Sequence, residues 1–421
     1  MTKRKKLLWS GDIVAMTGFA RVTENVLEHL RHTYEVVCLG NNWWGDYTPW
    51  QEKVRMYPSS NRFQQEPFGV QRIKEVVNIE KPDVVLVMND IWNINNIYNQ
   101  IKDEHKRGDF VFIGYSPQDS YEWTGAIQDT ANEWDGMISY TEFGANDWHQ
   151  SGITKAINVI PHGCDLSTFY PMDKLECRAE LGLAPDDFIV FNGNRNQARK
   201  RIDITIDAFA RFCVDKPHNI KLYLHMGMKD QGWDIMPLFG RIMQRYGHDP
   251  NHRIVMTQHT QNPPNVSIEL LNKIYNACDI GINTCKGEGW GLVNFEHAAC
   301  KVPQIVPNHT SCKEIFEGHG LLINNLFNDY DMNLNRRMPI PDAGHAAELL
   351  TALYEDEDYR AEIGQKCYDR VKDEQFSWPV IAEQFAQVIE EVCEEKAQAI
   401  KDAEPVKKTT KPKRRIPAGV N

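Results

Sequence analysis

The sequence predicts an α/β protein built from two doubly wound domains that face each other across a cleft. Three observations carry this. Strand and helix patterns alternate along most of the 421 residues. The strand candidates "KPDVVLVMND" and "GDFVFIGYS" are apolar throughout rather than alternating, as expected for parallel strands covered on both faces. A second β-α-β series starts afresh after residue 170, and two successive doubly wound units explain it.

The elements follow in order. "KLLWSGDIVAM" reads as a strand and loop. "TGFARVTENVLEHLRHT" is an amphipathic helix with Val22, Val26, Leu27 and Leu30 on one face. "YEVVCLG" is the next strand, and "EWDGMISYTEFGANDW" and "AINVIPHGCD" continue the alternation. The polar, aromatic-rich stretch 41–69 breaks it and reads as a loop or partial lid. The second series runs through "DDFIVFNGN", "RIDITIDAFARFCVD", "IKLYLHMG", "SIELLNKIYNAC" and "DIGINT" to a glycine-rich turn. A long helix, "WPVIAEQFAQVIEEVCEEKAQ", closes the folded part. The domain boundaries implied are 1–170, 171–375, a crossing helix at 376–400, and a basic tail at 401–421.

Composition narrows the class. With 42% hydrophobic and 25% charged residues the chain can bury a large core. No apolar run approaches the roughly 18 residues a membrane span needs, and the N-terminus reads as a first strand rather than a secretory signal. Ten scattered cysteines, without metal-ligand spacing, suggest buried thiols and a cytoplasmic location. A net charge of −11 disfavours a general nucleic-acid binder. The tail "KKTTKPKRRIPAGVN" is the exception. It carries six basic residues and no acid, and reads as a disordered, solvated segment or a weak polyanion tether.

Four stretches hold the candidate chemistry. "KGEGWGLVNFEHAAC" places Glu288 among the glycines Gly287, Gly289 and Gly291, with Glu296 in the helix that follows. A glycine-rich turn feeding a helix start suits an anion, and either carboxylate can accept hydroxyls of a ribose or a sugar ring. Solvent-facing acids are the plain alternative, which fits Glu296 poorly because Phe295, Ala298 and Ala299 beside it look buried. In "NGNRNQARKRID", Arg195 and Lys200 follow a buried strand and suit a diphosphate. Arg199, Lys200 and Arg201 cannot all point inward, so at least one belongs to solvent. In "MTGFARV", Gly18 either presents backbone amides to a phosphate or simply begins a helix. In "VIPHGCD", His162 and Asp165 sit in a tight crossing that reads as an interdomain hinge. Neither GxGxxG nor GxxxxGK[ST] occurs, so dinucleotide and P-loop readings lack support.

These residues resemble a family. Glu288-x7-Glu296 in "GEGWGLVNFEHAACKVPQIV" is similar to the motif of the retaining GT-B glycosyltransferases of family GT4, glycosyl transferases group 1. Arg195, Lys200 and Asp203 match its G-R-x4-K-x2-D, "IPHGCDLSTFYP" its linker, and "FSWPVIAEQF" the start of its crossing helix. The resemblance covers about residues 5–395. It implies the GT-B architecture of two Rossmann-like domains and an NDP-sugar donor, with UDP or GDP as nucleotide. Arg195 and Lys200 would neutralise the diphosphate, with Glu288 acting beside them in catalysis. Glu296 would hold the ribose. Glu288 and the backbone of Gly289, Trp290, Gly291 and Leu292 would hold the donor sugar, with Gly18 near the phosphates from the other side. No cofactor and no divalent ion are implied, since the NDP-sugar is a substrate. Asp329-Tyr330-Asp331 is formally D-x-D but reads as a surface loop.

The resemblance has departures. Gln118-Asp119 stands where the family commonly carries His-Asp, which leaves Asp119 and Asp90 as acceptor-side candidates. Lys301 and Arg201 replace glycines, and Trp290 replaces Phe. The acceptor stays open among a glycan, a lipid-linked sugar, a small molecule and hydroxymethylated DNA bases. Trp43, Trp44, Trp50 and Trp123 form either a stacking platform for it or part of the first core. A non-catalytic nucleotide-sugar-binding protein is the alternative of another class.

Overall fold

The computed structural model describes residues 4–60, 65–123, 127–257, 266–331 and 335–403. The first domain is a seven-stranded parallel sheet. Its strands are β1 (Lys6–Asp12), β2 (Glu35–Asn41), β3 (Arg55–Pro58), β4 (Val84–Met88), β5 (Val111–Ser116), β6 (Gly136–Ser139) and β7 (Asn158–Val159). They lie in the order β3-β2-β1-β4-β5-β6-β7. The second domain is a six-stranded parallel sheet of β8 (Phe188–Asn192), β9 (Ile220–Leu224), β10 (Ile254–Met256), β11 (Ile280–Ile282), β12 (Gln304–Pro307) and β13 (Leu321–Ile323). Its order is β10-β9-β8-β11-β12-β13. Both sheets are doubly wound, so the α/β fold expected from the alternation is present. Every residue of β4 and β5 is buried, which is why those segments read as unbroken apolar runs.

The first helix, Gly18–Leu30, buries Val22, Val26, Leu27 and Leu30, the face its periodicity marked. Thr17 caps it by accepting from the Ala20 amide. The stretch 41–69 departs from the loop expected there. Beyond a 3-10 turn at Pro49–Glu52 it contributes β3, which pairs in parallel with β2 at the sheet edge. Trp50 and Val54, both buried, anchor that edge. Residues 61–64 of the stretch lie outside the described residues, as does the basic tail from 404 onward.

A further departure is a two-stranded antiparallel hairpin, β14 (Asn325–Tyr330) and β15 (Arg337–Pro341). Asp329 and Tyr330, expected in a loop, lie in β14 opposite Met338 and Arg337. The hairpin reaches the first domain, where Tyr121 and Arg337 exchange backbone hydrogen bonds of 3.0 and 3.1 Å. Two chain crossings connect the domains and touch each other, the Cys164 amide donating to the Phe376 carbonyl at 3.1 Å. The last helix, Trp378–Ala403, then returns along the first domain. Its Phe385 packs edge-on to Trp9 and Tyr115, with ring centroids 5.7 and 5.0 Å away. Lys396 reaches Asp135 at 2.8 Å. No helix among the described residues is long and apolar enough to cross a membrane.

Phe385 is fully buried, so Phe385→Ala should cost about 3–5 kcal/mol from lost burial and an unfilled cavity. Chemical denaturation should show a lower midpoint with the slope unchanged.

Candidate active site

In an open parallel sheet the crevice at the carboxyl ends of the strands, where the strand order reverses, is the natural ligand site. Here the reversals lie between β1 and β4 in one sheet and between β8 and β11 in the other. The loops leaving these strands carry Gly18 and Asp90 in the first domain, and Arg199, Lys200 and Glu288 in the second. They meet in the cleft. A Cβ added at Gly289 would lie 2.6 Å from Pro117 Cβ, and one at Gly287 would overlap the Asp119 carbonyl oxygen. Only glycine lets the turn approach the facing domain this closely. Across the same gap, a Cβ at Gly18 would lie 3.1 Å from Leu292 Cδ1, so the starts of two helices touch.

Glu288 is buried and paired with Lys200, which is also buried. Burial alone would raise the pKa of Glu288, but the charges of Lys200 and Arg199 outweigh it and hold the carboxyl below its usual range. Arg199 is the bridge between domains. It pairs with Asp119 at 3.3 Å, donates to the Gly287 carbonyl and stands 3.9 Å from Glu288. The turn is fixed from beneath by Ser311, whose hydroxyl donates to the Glu288 carbonyl at 2.7 Å.

Glu296 lies one helix onward and is 2% exposed. Arg21, from the first helix of the opposite domain, pairs with its Oε1, and the Tyr275 hydroxyl donates to Oε2 at 3.3 Å. The Glu296 charge, against the opposing effect of burial, keeps Arg21 firmly protonated. The Arg21 guanidinium also lies 5.5 Å from the Phe169 ring centroid.

The remaining sequence-marked residues are placed as follows. Arg195 forms a two-pronged pair with Asp230, at 2.6 and 3.1 Å, on the exposed side of its loop. Arg201 has a left-handed backbone, φ 48°, and pairs with Asp203. Of the consecutive cations, then, Arg199 and Lys200 turn inward and Arg201 does not. Gln118 turns away from the cleft to donate to Asp147 and accept from Trp123. Asp119 is shared between Arg199 and Arg336, the latter at 3.2 Å. Asp90 forms an ion pair with neither of these arginines. Burial first, and then the like charge of Asp119, push its carboxyl up to about 7, with Arg199 and Arg336 opposing. His162 packs at a tilt against Tyr140 and Trp290, ring centroids 4.2 and 5.4 Å away, and burial lowers it to about 3, so it is a neutral packing group. Trp290 is 4% exposed and packs on Phe295. Gly291 takes a left-handed conformation, φ 98°, and starts the helix Leu292–Ala298. Asp329 pairs with Lys286 at 3.2 Å on the hairpin.

The tryptophan platform does not form. Trp43, Trp50 and Trp123 are buried, because their indole N–H groups find Asp46, Glu24 and Gln118 inside the first domain. Trp44 alone of the four is exposed, at 54%. Sequence reasoning also missed Arg21, Arg199 as a bridge, and Arg336. The signal for Arg21 was its position one turn after Gly18. Arg336 offered none before the hairpin was known. No group of three or more metal-ligating side chains occurs among the described residues.

Comparison with known proteins follows the same division. Residues 186–330 match the family described as Glycosyl transferases group 1. The D-inositol 3-phosphate glycosyltransferase of Segniliparus rotundus is 31% identical over 175 residues, 41% of this chain and 37% of that protein. Its counterpart in Geodermatophilus obscurus is 24% identical over 221 residues, 51% and 47% of the two chains. The chain thus spans less than half the length of these curated relatives. Among solved structures, sucrose-phosphate synthase from Thermosynechococcus elongatus superposes with a TM-score of 0.73 at 18% identity, over 93% of this chain and 100% of that one. Anabaena HepE in complex with UDP-glucose gives 0.69 at 16% identity, over 92% and 100%. These likenesses establish the fold as GT-B. Over residues 186–330, within its second domain, the chain is similar to the glycosyl transferases group 1 family.

Proposed function

We propose that the chain is a retaining glycosyltransferase that moves a sugar from a UDP- or GDP-sugar to an acceptor hydroxyl without a divalent ion. The observation that supports this most is the convergence of Lys200, Arg199, Glu288 and Glu296 at the switch point of the second sheet, facing the start of the first helix. In this reading Glu296 accepts the two ribose hydroxyls, and the first-turn amides at Gly18 meet the diphosphate. Glu288 and the backbone from Gly289 to Leu292 hold the donor sugar. The bond between sugar C1 and the phosphate oxygen breaks as the acceptor oxygen bonds to C1. The departing diphosphate takes the electron pair and, on the same face of the sugar, accepts the proton of the acceptor hydroxyl, while Lys200 and Arg199 offset its charge. Arg195 joins them if its pair with Asp230 opens. A UDP-sugar is favoured by the likeness to HepE, whose structure contains UDP-glucose.

Asp90 and Asp119 line the acceptor side. They suit an uncharged, hydroxyl-rich acceptor, whose hydrogens a carboxylate can accept. The net charge of −11 disfavours a polyanionic DNA acceptor, so this reading favours a glycan, a lipid-linked sugar or a small molecule. Turnover separates the enzyme from a non-catalytic binder with the same donor site.

Glu296→Ala and Lys200→Ala should each lower kcat/KM by about a hundredfold or more, while thermal unfolding shows both still folded. EDTA should leave wild-type turnover unchanged, and the product anomer, read by NMR, should match the donor's. Full transfer by both variants would reject the site.

Asp90 carries a pH signature. Its carboxyl holds a proton more tightly in the folded chain, about 7 against an ordinary 3.8, so this group favours folding at low pH. Its contribution is lost as pH rises from about 4 to about 7. Asp90→Asn should flatten that part of the stability–pH curve, measured by urea unfolding at each pH.

A further inference from the structure

Both oxygens of Glu296 are already engaged, Oε1 by Arg21 and Oε2 by Tyr275. Arg21, lying between the carboxylate and the facing domain, competes with a ribose diol for Glu296. Tyr275 belongs to the same domain as Glu296 and can stay. Arg21 comes from the other domain, so displacing it also loosens the contact between domains.

The displaced guanidinium has somewhere to go. Arg21 stands in the opening turns of the helix Gly18–Leu30, its amide bonded to the Thr17 carbonyl at 3.2 Å. The amides preceding it in that turn lack intrahelical partners, apart from Ala20, which Thr17 caps. Gly18 faces Leu292 across the gap, so a diphosphate lying beside Gly18 lies within a turn of Arg21. The Arg21 side chain is 30% exposed, and besides Glu296 it lies near the Phe169 ring and the Glu24 charge. It can rotate on its long stem while the helix stays fixed.

Resting on the assignment of the cleft as a nucleotide-sugar site, we propose that Arg21 exchanges partners when the donor binds, leaving Glu296 to the ribose diol and clamping the diphosphate. One interdomain ion pair is replaced by two interactions with the donor. A guanidinium suits this because its fork pairs equally well with a carboxylate and with phosphate oxygens. The exchange also selects for phosphorylation. A nucleoside without phosphates would evict Arg21 from Glu296 and offer it nothing, whereas a nucleoside diphosphate supplies the new partner. Arg21 is therefore a specificity residue for the diphosphate as well as a tie between the domains.

The test is calorimetric binding of UDP, GDP, uridine and guanosine to the wild-type chain and to Arg21→Ala and Arg21→Lys. Removing Arg21 removes the competitor for Glu296, so the matching nucleoside should bind more tightly than to wild type. The diphosphate loses its clamp, so the ratio of diphosphate to nucleoside affinity should fall by about tenfold or more. Arg21→Lys should recover part of that ratio, because the charge remains without the fork. Thermal unfolding checks that each variant is folded, and Arg21→Gln replaces any that is not. An unchanged ratio, or an equal weakening of both ligands, would overturn the exchange and leave Arg21 as a structural tie. Wild-type binding of neither diphosphate, or binding untouched by Lys200→Ala and Glu296→Ala, would instead reject the site and the exchange with it.

Discussion

The structure depends on keeping two carboxylates charged inside a closed cleft. Glu288 and Glu296 are both buried, and an ionised acid removed from water is costly unless a cation and hydrogen bonds replace the solvent. Lys200 and Arg199 supply this for Glu288, and Arg21 with Tyr275 for Glu296. Arg199 and Arg21 each join one domain to the other. The charges that prepare the site for a ligand therefore also hold the two domains together in its absence. In the proposed function, a donor exchanges some of these pairs, and the cost of breaking them becomes part of its selectivity.

The rest of the fold serves that juxtaposition. Two doubly wound sheets put their switch points face to face, so loops from four central strand ends can share one small volume. Gly287 and Gly289 permit the closest approach, where a side chain would collide with Asp119 or Pro117. The paired crossings at Cys164 and Phe376 and the returning helix set the spacing from behind. The hairpin adds a second tie, at Asp119. Its Arg336 bonds Asp119 and Ser120 and lies 4.5 Å from the Trp123 ring centroid.

Much of this was legible in the residues. Continuous apolar runs identified β4 and β5 because both faces of a parallel sheet are covered. The pattern Glu288-x7-Glu296 anticipated that both acids lie in the cleft, because a glycine turn and a helix fix where the side chains can point. The first domain was less legible. Edge strand β3 is short and only partly buried, so its pattern resembles a loop. Trp43, Trp50 and Trp123 looked available because an indole can be buried whenever its N–H finds a partner, and the partners are set by tertiary folding. Arg21 resembles any polar residue on an amphipathic helix until the opposite domain is in place. Which of Arg199, Lys200 and Arg201 reaches the Glu288 turn is set by tertiary folding; Arg201 takes a left-handed backbone and pairs with Asp203 instead, which the local sequence does not announce.

The central claim is that this cleft activates a nucleotide sugar through protein cations. The most direct measurement is release of free UDP or GDP from a panel of nucleotide sugars by the purified chain in EDTA, with and without hydroxyl-rich acceptors. The account predicts release from one donor class, stimulated by an acceptor. Neither release nor binding of any nucleotide sugar in the panel would contradict it.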